Sequence, residues 1–157
     1  RIASNHIVTL QPNEIFVFGS NLEGQHAGGA AYLAYKRFGA IWGQGVGLQG
    51  QSYAIPTMQG VETIKPYVDE FIEFAEKHPS KTFLVTEIGC GIAGFTVGEI
   101  APLFEQAKEV ENIYLPQRFW EVLENNQSSG QTFQRRSGKA PLNKFVLKTI
   151  LDGICNI

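Results

Sequence analysis

An α/β fold is predicted for this chain by two observations: segments of extended character alternate with segments of helical period, and the extended ones are rich in β-branched and aromatic residues. Its 157 residues fit one ordinary domain with a substantial core. Residues 1–125 are expected to form that domain, 126–141 a polar loop or linker, and 142–157 a closing segment. Hydrophobic residues at 43% against 18% charged exclude the balance of a disordered chain.

The elements follow in order. "HIVTL" (residues 6–10) and "EIFVFGS" (residues 14–20) read as two strands, with Pro12 and Asn13 as turn residues between them. A first helix is expected over 30–38, where Ala30, Leu33, Ala34 and Arg37 recur at helical spacing and Gly39 supplies a stop. "SYAIP" reads as a strand ending at Pro56. A second, amphipathic helix is expected over 61–78, because Ile64, Val68, Phe71, Ile72 and Ala75 fall three or four apart before Lys77-His78-Pro79. "KTFLVTEI" reads as a buried strand. "TVGEIAPLFEQAKEV" carries Thr96 and Glu99 at capping-box spacing ahead of a helical pattern. "NIYLP" is a further strand and "QRFWEVLEN" a short helix. Beyond Asn125 the composition turns polar, and the basic cluster of Arg135, Arg136 and Lys139 reads as a solvated face. "NKFVLKTILDGICNI" has helical spacing and reads either as a terminal helix or as a segment foreign to the fold.

A formal charge of -2 supplies no basic field, so neither DNA nor RNA is expected as a partner. Cys90 and Cys155 are too few and too far apart for a disulfide framework or a zinc site, which points to a reducing, cytoplasmic setting with no metal or cofactor. No run reaches the roughly 18 apolar residues of a membrane span.

Two loops carry the functional signal. "GCGIAG" (residues 89–94) matches G-x-G-x-x-G between a strand and a helix, where glycines let backbone N–H groups turn toward a phosphate and the helix's positive end favours negative charge. The bland alternative is a turn that needs glycine for its own dihedrals. The loop "GSNLEGQHAGGAA" (residues 19–31) also follows an apolar strand and precedes a helix. In an open α/β sheet both loops would sit at the carboxyl ends of strands, where ligands bind. Gly19, Ser20 and Asn21 open this loop. Gly28 and Gly29 offer unobstructed N–H groups, and Asn21 and His26 can hydrogen-bond a ligand, unless Asn21 only shapes an Asx-turn and His26 is an exposed loop residue. A third glycine-rich stretch, "WGQGVGLQGQS" (residues 42–52), reads as a flexible cleft wall whose Gln44 and Gln49 bond a sugar or base and whose Trp42 stacks; a twisted hairpin is the alternative.

"FGSNLEGQHAGGAA" and "EIGCGIAGFTVGEI", in that order and spacing, resemble the two ligand loops of the macrodomain family. The resemblance covers roughly residues 14–118. It implies a three-layer α/β/α sandwich with a mixed, mostly parallel sheet and a cleft for ADP-ribose or a related nucleotide. Carried over by position, Asn21 would approach the distal ribose, and Gly28, Gly29 and Ala30 would line the first phosphate loop. Gly89, Cys90, Gly91, Ile92, Ala93, Gly94 and Phe95 would wrap the diphosphate. The family's Asp that holds the adenine amine has no match, and Asn13 or Glu14 stands in for it.

An activity on an ADP-ribosyl or ADP-ribose phosphate bond would need a general acid or base, for which His26 and Glu87 are the candidates. Cys90 lies where a thiolate would be favoured, though a small buried Cys is the plainer role. A non-catalytic module that reads a nucleotide signal is the alternative. A dinucleotide oxidoreductase fits less well, because the strand after "GCGIAG" ends at Gln117 and Arg118 without the acid that would hold a ribose.

Overall fold

The computed structural model describes residues 1–131, the last six by backbone alone. The basic cluster Arg135, Arg136 and Lys139, Cys155 and the segment 142–157 lie outside the described residues. The chain divides into two units after Val122, and the first, Arg1–Val122, carries the sheet.

Six strands form one open sheet: β1 (Ile2–Ala3), β2 (Glu14–Ser20), β3 (Gly47–Gln49), β4 (Ser52–Pro56), β5 (Thr82–Val85) and β6 (Ile113–Pro116). Their order is β1-β6-β5-β2-β4-β3, parallel throughout except for β3, which runs antiparallel to β4 at one edge. The helices are α1 (Gly29–Arg37), α2 (Val61–Glu76), the single turn α3 (Val97–Ile100) and α4 (Gln117–Gln131), with a 3₁₀ helix over Ala101–Glu109.

β2 is central because its run Ile15-Phe16-Val17-Phe18 is apolar on both faces and buried on both, as a parallel strand covered on each side must be. Phe16 and Phe18 pack with Ala31, Ala34 and Phe38 of the α1 layer, the Phe16 and Phe38 rings 5.0 Å apart. On the opposite face, Phe71 of α2 meets Tyr53 and Phe83 at 5.1 and 5.6 Å, and Phe104 lies beside it at 6.5 Å. This is the three-layer α/β/α sandwich with a mixed, mostly parallel sheet. Ile64, Val68, Phe71, Ile72 and Ala75, the stripe predicted for α2, are all buried.

Four expected elements differ. Residues 6–10 are not a strand, since the sheet position beside β6 is taken by Ile2–Ala3; the segment instead lays Ile7 and Leu10 against the α1-side core. The helix expected from Thr96 breaks after one turn into the 3₁₀ helix, with Pro102, which has no N–H to give, at its start and Phe104 at a non-helical φ/ψ of -99° and 17°. The last helix does not stop at Asn125 but continues to Gln131. "KTFLVTEI" pairs only over Thr82–Val85, leaving Thr86 and Glu87 free to enter a loop.

Candidate functional site

From β2 the chain passes through α1 toward β3 and β4 on one side of the sheet; from the adjacent β5 it passes through α3 toward β6 on the other. The crevice between the carboxyl ends of β2 and β5 is therefore the topological switch point where open α/β sheets bind ligands. A cavity of about 480 Å³ lies there, lined by both predicted loops and by Thr57 and Met58 from the end of β4.

The first loop is fixed by its own side chains. Asn21 accepts the Gln25 N–H on Oδ1 at 2.8 Å and donates Nδ2 to the Gln25 carbonyl at 3.2 Å. The Asn21 amide thus shapes the loop while the residue lines the cavity. Ser20 Oγ donates to the Gly45 carbonyl. α1 then begins at Gly28 with no side-chain cap and no acidic residue in its first turn. Among the described residues no protein acceptor takes the N–H groups of Gly29, Ala30 and Ala31, which all line the cavity. Gly29 has φ 60°, a backbone that side-chain-bearing residues avoid.

The second loop leaves β5 as Thr86 Oγ1 donates to the Val17 carbonyl at 2.8 Å. Its internal turns use the N–H groups of Cys90, Gly94 and Phe95, which donate to the carbonyls of Glu87, Gly91 and Gly89. The N–H groups of Gly91, Ile92 and Ala93 have no protein acceptor among the described residues, and these three residues also line the cavity. The loops meet where Ile92, 78% exposed, brings Cδ1 within 3.4 Å of where a Cβ on Gly28 would stand. α3 does not aim a positive end at the cavity as expected. It is one turn long, and its capping box is complete within itself, with Thr96 Oγ1 accepting the Glu99 N–H and the Glu99 carboxylate accepting the Thr96 N–H.

Of the predicted residues, Gly19, Ser20, Asn21, Gly28, Gly29, Ala30, Gly89, Gly91, Ile92, Ala93 and Glu87 line this cavity. Cys90, Gly94 and Phe95 belong to the same loop but not to the lining. The Cys90 thiol is pushed up from its ordinary value by burial, then by the neighbouring Glu87 carboxylate, with Arg118 acting the other way. It is held as a thiol and not as the thiolate its place in the loop suggested. His26 is buried at 0% exposure, neither an exposed loop residue nor a lining one. Its Nε2 contacts the Ile41 carbonyl at 2.9 Å and Gln49 Oε1 at 3.3 Å, and its ring lies edge-on to Phe18. Gln49 Oε1 also accepts the Ile41 N–H, and its Nε2 donates to the Gln44 carbonyl; Gln44 Nε2 donates to the carbonyls of Val46 and Leu48. This stretch does form the β3–β4 hairpin, but its polar side chains do not all face outward as that reading has it: Gln49 is buried against His26 and Ile41, Gln44 is bonded within the stretch, and neither lines the cavity.

Asn13 and Glu14 lie at the amino end of β2, at the far end of the strand from the cavity, where Asn13 donates to Thr82 Oγ1 and Glu14 accepts the Gln11 N–H. The segment that does approach is Ser4 to Val8, which with Phe16, Leu33 and Arg118 lines a second cavity of about 470 Å³. The two cavities share Ala30, Thr86 and Glu87. Glu87, half-buried, is paired with Arg118 across 3.3 Å. Thr57, Met58 and Thr86 escaped the sequence reading, although Thr57 follows a predicted strand directly; which strand end adjoins β2 depends on pairing order. Among the described residues no three His, Cys, Asp or Glu side chains come together to hold a metal.

Comparison of the chain with protein-family models, with curated proteins and with solved structures returns no match.

Proposed function

We propose that the cavity between the β2 and β5 loops binds the diphosphate of ADP-ribose or of a related nucleotide. One observation carries this reading: unclaimed N–H groups from two loops, Gly29 to Ala31 on one side and Gly91 to Ala93 on the other, line a single cavity at a switch point. N–H groups that no protein acceptor takes are open to a ligand, and one anion can accept from several at once. The three on α1 add the positive end of a nine-residue helix. The likeness of both loops to macrodomain loops supports a nucleotide over a simple phosphate. A cytoplasmic setting fits the free Cys90, and no helix among the described residues is long and apolar enough to cross a membrane.

Among the described residues, Glu87 is the single ionisable side chain lining the first cavity, so hydrolysis of an ADP-ribosyl or ADP-ribose phosphate bond would use it as general base. His26 is withdrawn from that role by its burial. A non-catalytic module is the second reading, and the ion pair of Glu87 with Arg118 favours it, because that pair already engages the carboxylate a base would use.

Thermal unfolding with ADP-ribose, AMP, NAD and ADP-ribose phosphate tests the binding. At about 100 times its dissociation constant a ligand adds roughly 2.7 kcal/mol of stability. Absence of a shift with every compound removes the proposal. Turnover of an ADP-ribosylated or 1″-phosphorylated substrate, abolished by Glu87→Gln, would establish the enzyme; binding without turnover would establish the module.

A further inference from the structure

The two cavities meet at Glu87, and the charges there are unusual for an anion site. Among the described residues, the first cavity has no cationic side chain in its lining and one anionic one, Glu87. The second contains Arg118, the sole Lys or Arg among the described residues that line either cavity, and its guanidinium pairs with Glu87 at 3.3 Å. A carboxylate beside a diphosphate site repels any ligand that continues as phosphate. It is also acceptor-only, so it welcomes a neutral group that donates hydrogen bonds. Resting on the diphosphate reading above, we infer that Glu87 and Arg118 select the ligand by charge at the passage between the cavities. Glu87 accepts from the hydroxyls of a neutral sugar that leads to a ring in the second cavity, and it turns away a bare polyphosphate. Arg118 holds Glu87 in place and tempers its repulsion of the diphosphate already bound. Selectivity of this kind comes from a repulsive element as much as from attractive ones.

The experiment is calorimetric titration of the full chain with ADP, 2′,3′-dideoxy-ADP and inorganic tripolyphosphate. The wild type should bind ADP about tenfold or more tighter than tripolyphosphate, and removing the two hydroxyls should cost ADP roughly tenfold. Glu87→Gln, which removes the charge, should improve tripolyphosphate binding about fivefold, and Glu87→Ala, which also removes the acceptor, should make ADP and its dideoxy analogue nearly equal. Arg118→Gln, leaving the carboxylate uncompensated, should weaken ADP and tripolyphosphate together by several-fold, and the double variant should recover tripolyphosphate binding. Both side chains are partly exposed, at 24% and 61%, so the fold survives these changes, which thermal unfolding verifies. An unchanged ADP-to-tripolyphosphate ratio in Glu87→Gln overturns the inference. The diphosphate reading is judged separately: if Gly91→Val abolishes ADP binding while the Glu87 and Arg118 variants keep the wild-type ratio, the reading stands and the charge selection falls. If the wild type binds none of the three, both fall together.

Discussion

The two cavity loops and the hairpin segment 41–51 look alike as sequence, each dense in glycine, yet individual glycines in them serve different purposes. In the cavity loops a Cβ added at Gly29, Gly91 or Gly94 would meet nothing within 4 Å. In the hairpin region a Cβ on Gly45 would stand 2.2 Å from the Asn21 carbonyl oxygen, and one on Gly50 2.7 Å from Gly39 Cα. Gly24, facing Gln44 N at 2.3 Å, shows the same use on the first loop's own flank. Backbone within 3 Å marks glycine consumed by packing; Gly43 and Gly47 of the hairpin face open space but are needed for their positive φ, whereas Gly91 is open and outside that region, in line with the unclaimed N–H groups of its loop. The polar side chains do not divide in this way, since Asn21 is satisfied internally as Gln44 and Gln49 are; what distinguishes the cavity loops is the unclaimed backbone N–H groups.

That contrast is sharpest where it can be broken. Gly45→Ala forces a methyl into the Asn21 carbonyl and should destabilise by about 3 kcal/mol, lowering the melting temperature by roughly 10 °C. A variant that melts with the wild type would show that the hairpin is not packed as described. Gly91→Val, in open space and outside the left-handed region, should change stability by under ~1 kcal/mol while weakening ADP-ribose binding roughly 100-fold, or about 2.7 kcal/mol. Retained affinity would refute the diphosphate assignment. Thr96→Ala removes half of the α3 capping box at the foot of the second loop and should cost about 1 kcal/mol in thermal unfolding, with little effect on the first loop. The smallest effect concerns Cys90. Because its thiol is raised by burial and by Glu87, iodoacetamide should label it more slowly in the native protein than in the unfolded chain near pH 8, as mass spectrometry can follow. A folded-state pKa above the unfolded one means that this site's preference for the folded state is complete below the ordinary thiol range and is lost as pH rises through the raised value. Faster native labelling would contradict it.

The fold was legible wherever one residue pattern had one physical meaning. The apolar run of β2, the stripe of α2 and the Thr96–Glu99 box each specify a single local structure, and each is present as read. Legibility failed where meaning depends on neighbours distant in sequence. Nothing in "HIVTL" says that its Ile7 and Leu10 pack on the α1-side core instead of pairing in the sheet, and β1, with two residues, is too short to carry a pattern. The same holds at the site. Glycine in the two loops announced backbone approach, but only packing tells that Gln49 turns inward to His26 and Ile41, or that Thr57 and Met58 arrive from the neighbouring strand.

One feature of the sheet bears on how the molecule comes into being. The two cavity loops hang from β2 and β5, joined through the register Phe16↔Leu84 and Val17↔Val85 and through the Thr86 bond to Val17, 69 residues away. Contacts between such distant partners form slowly, after the local hairpin and helices. A nascent chain that has emerged only as far as α2 therefore displays the β2 loop without its partner, and the cavity takes form only when β5 and its loop dock beside β2. Synthesis order makes the fifth strand the step that closes the site.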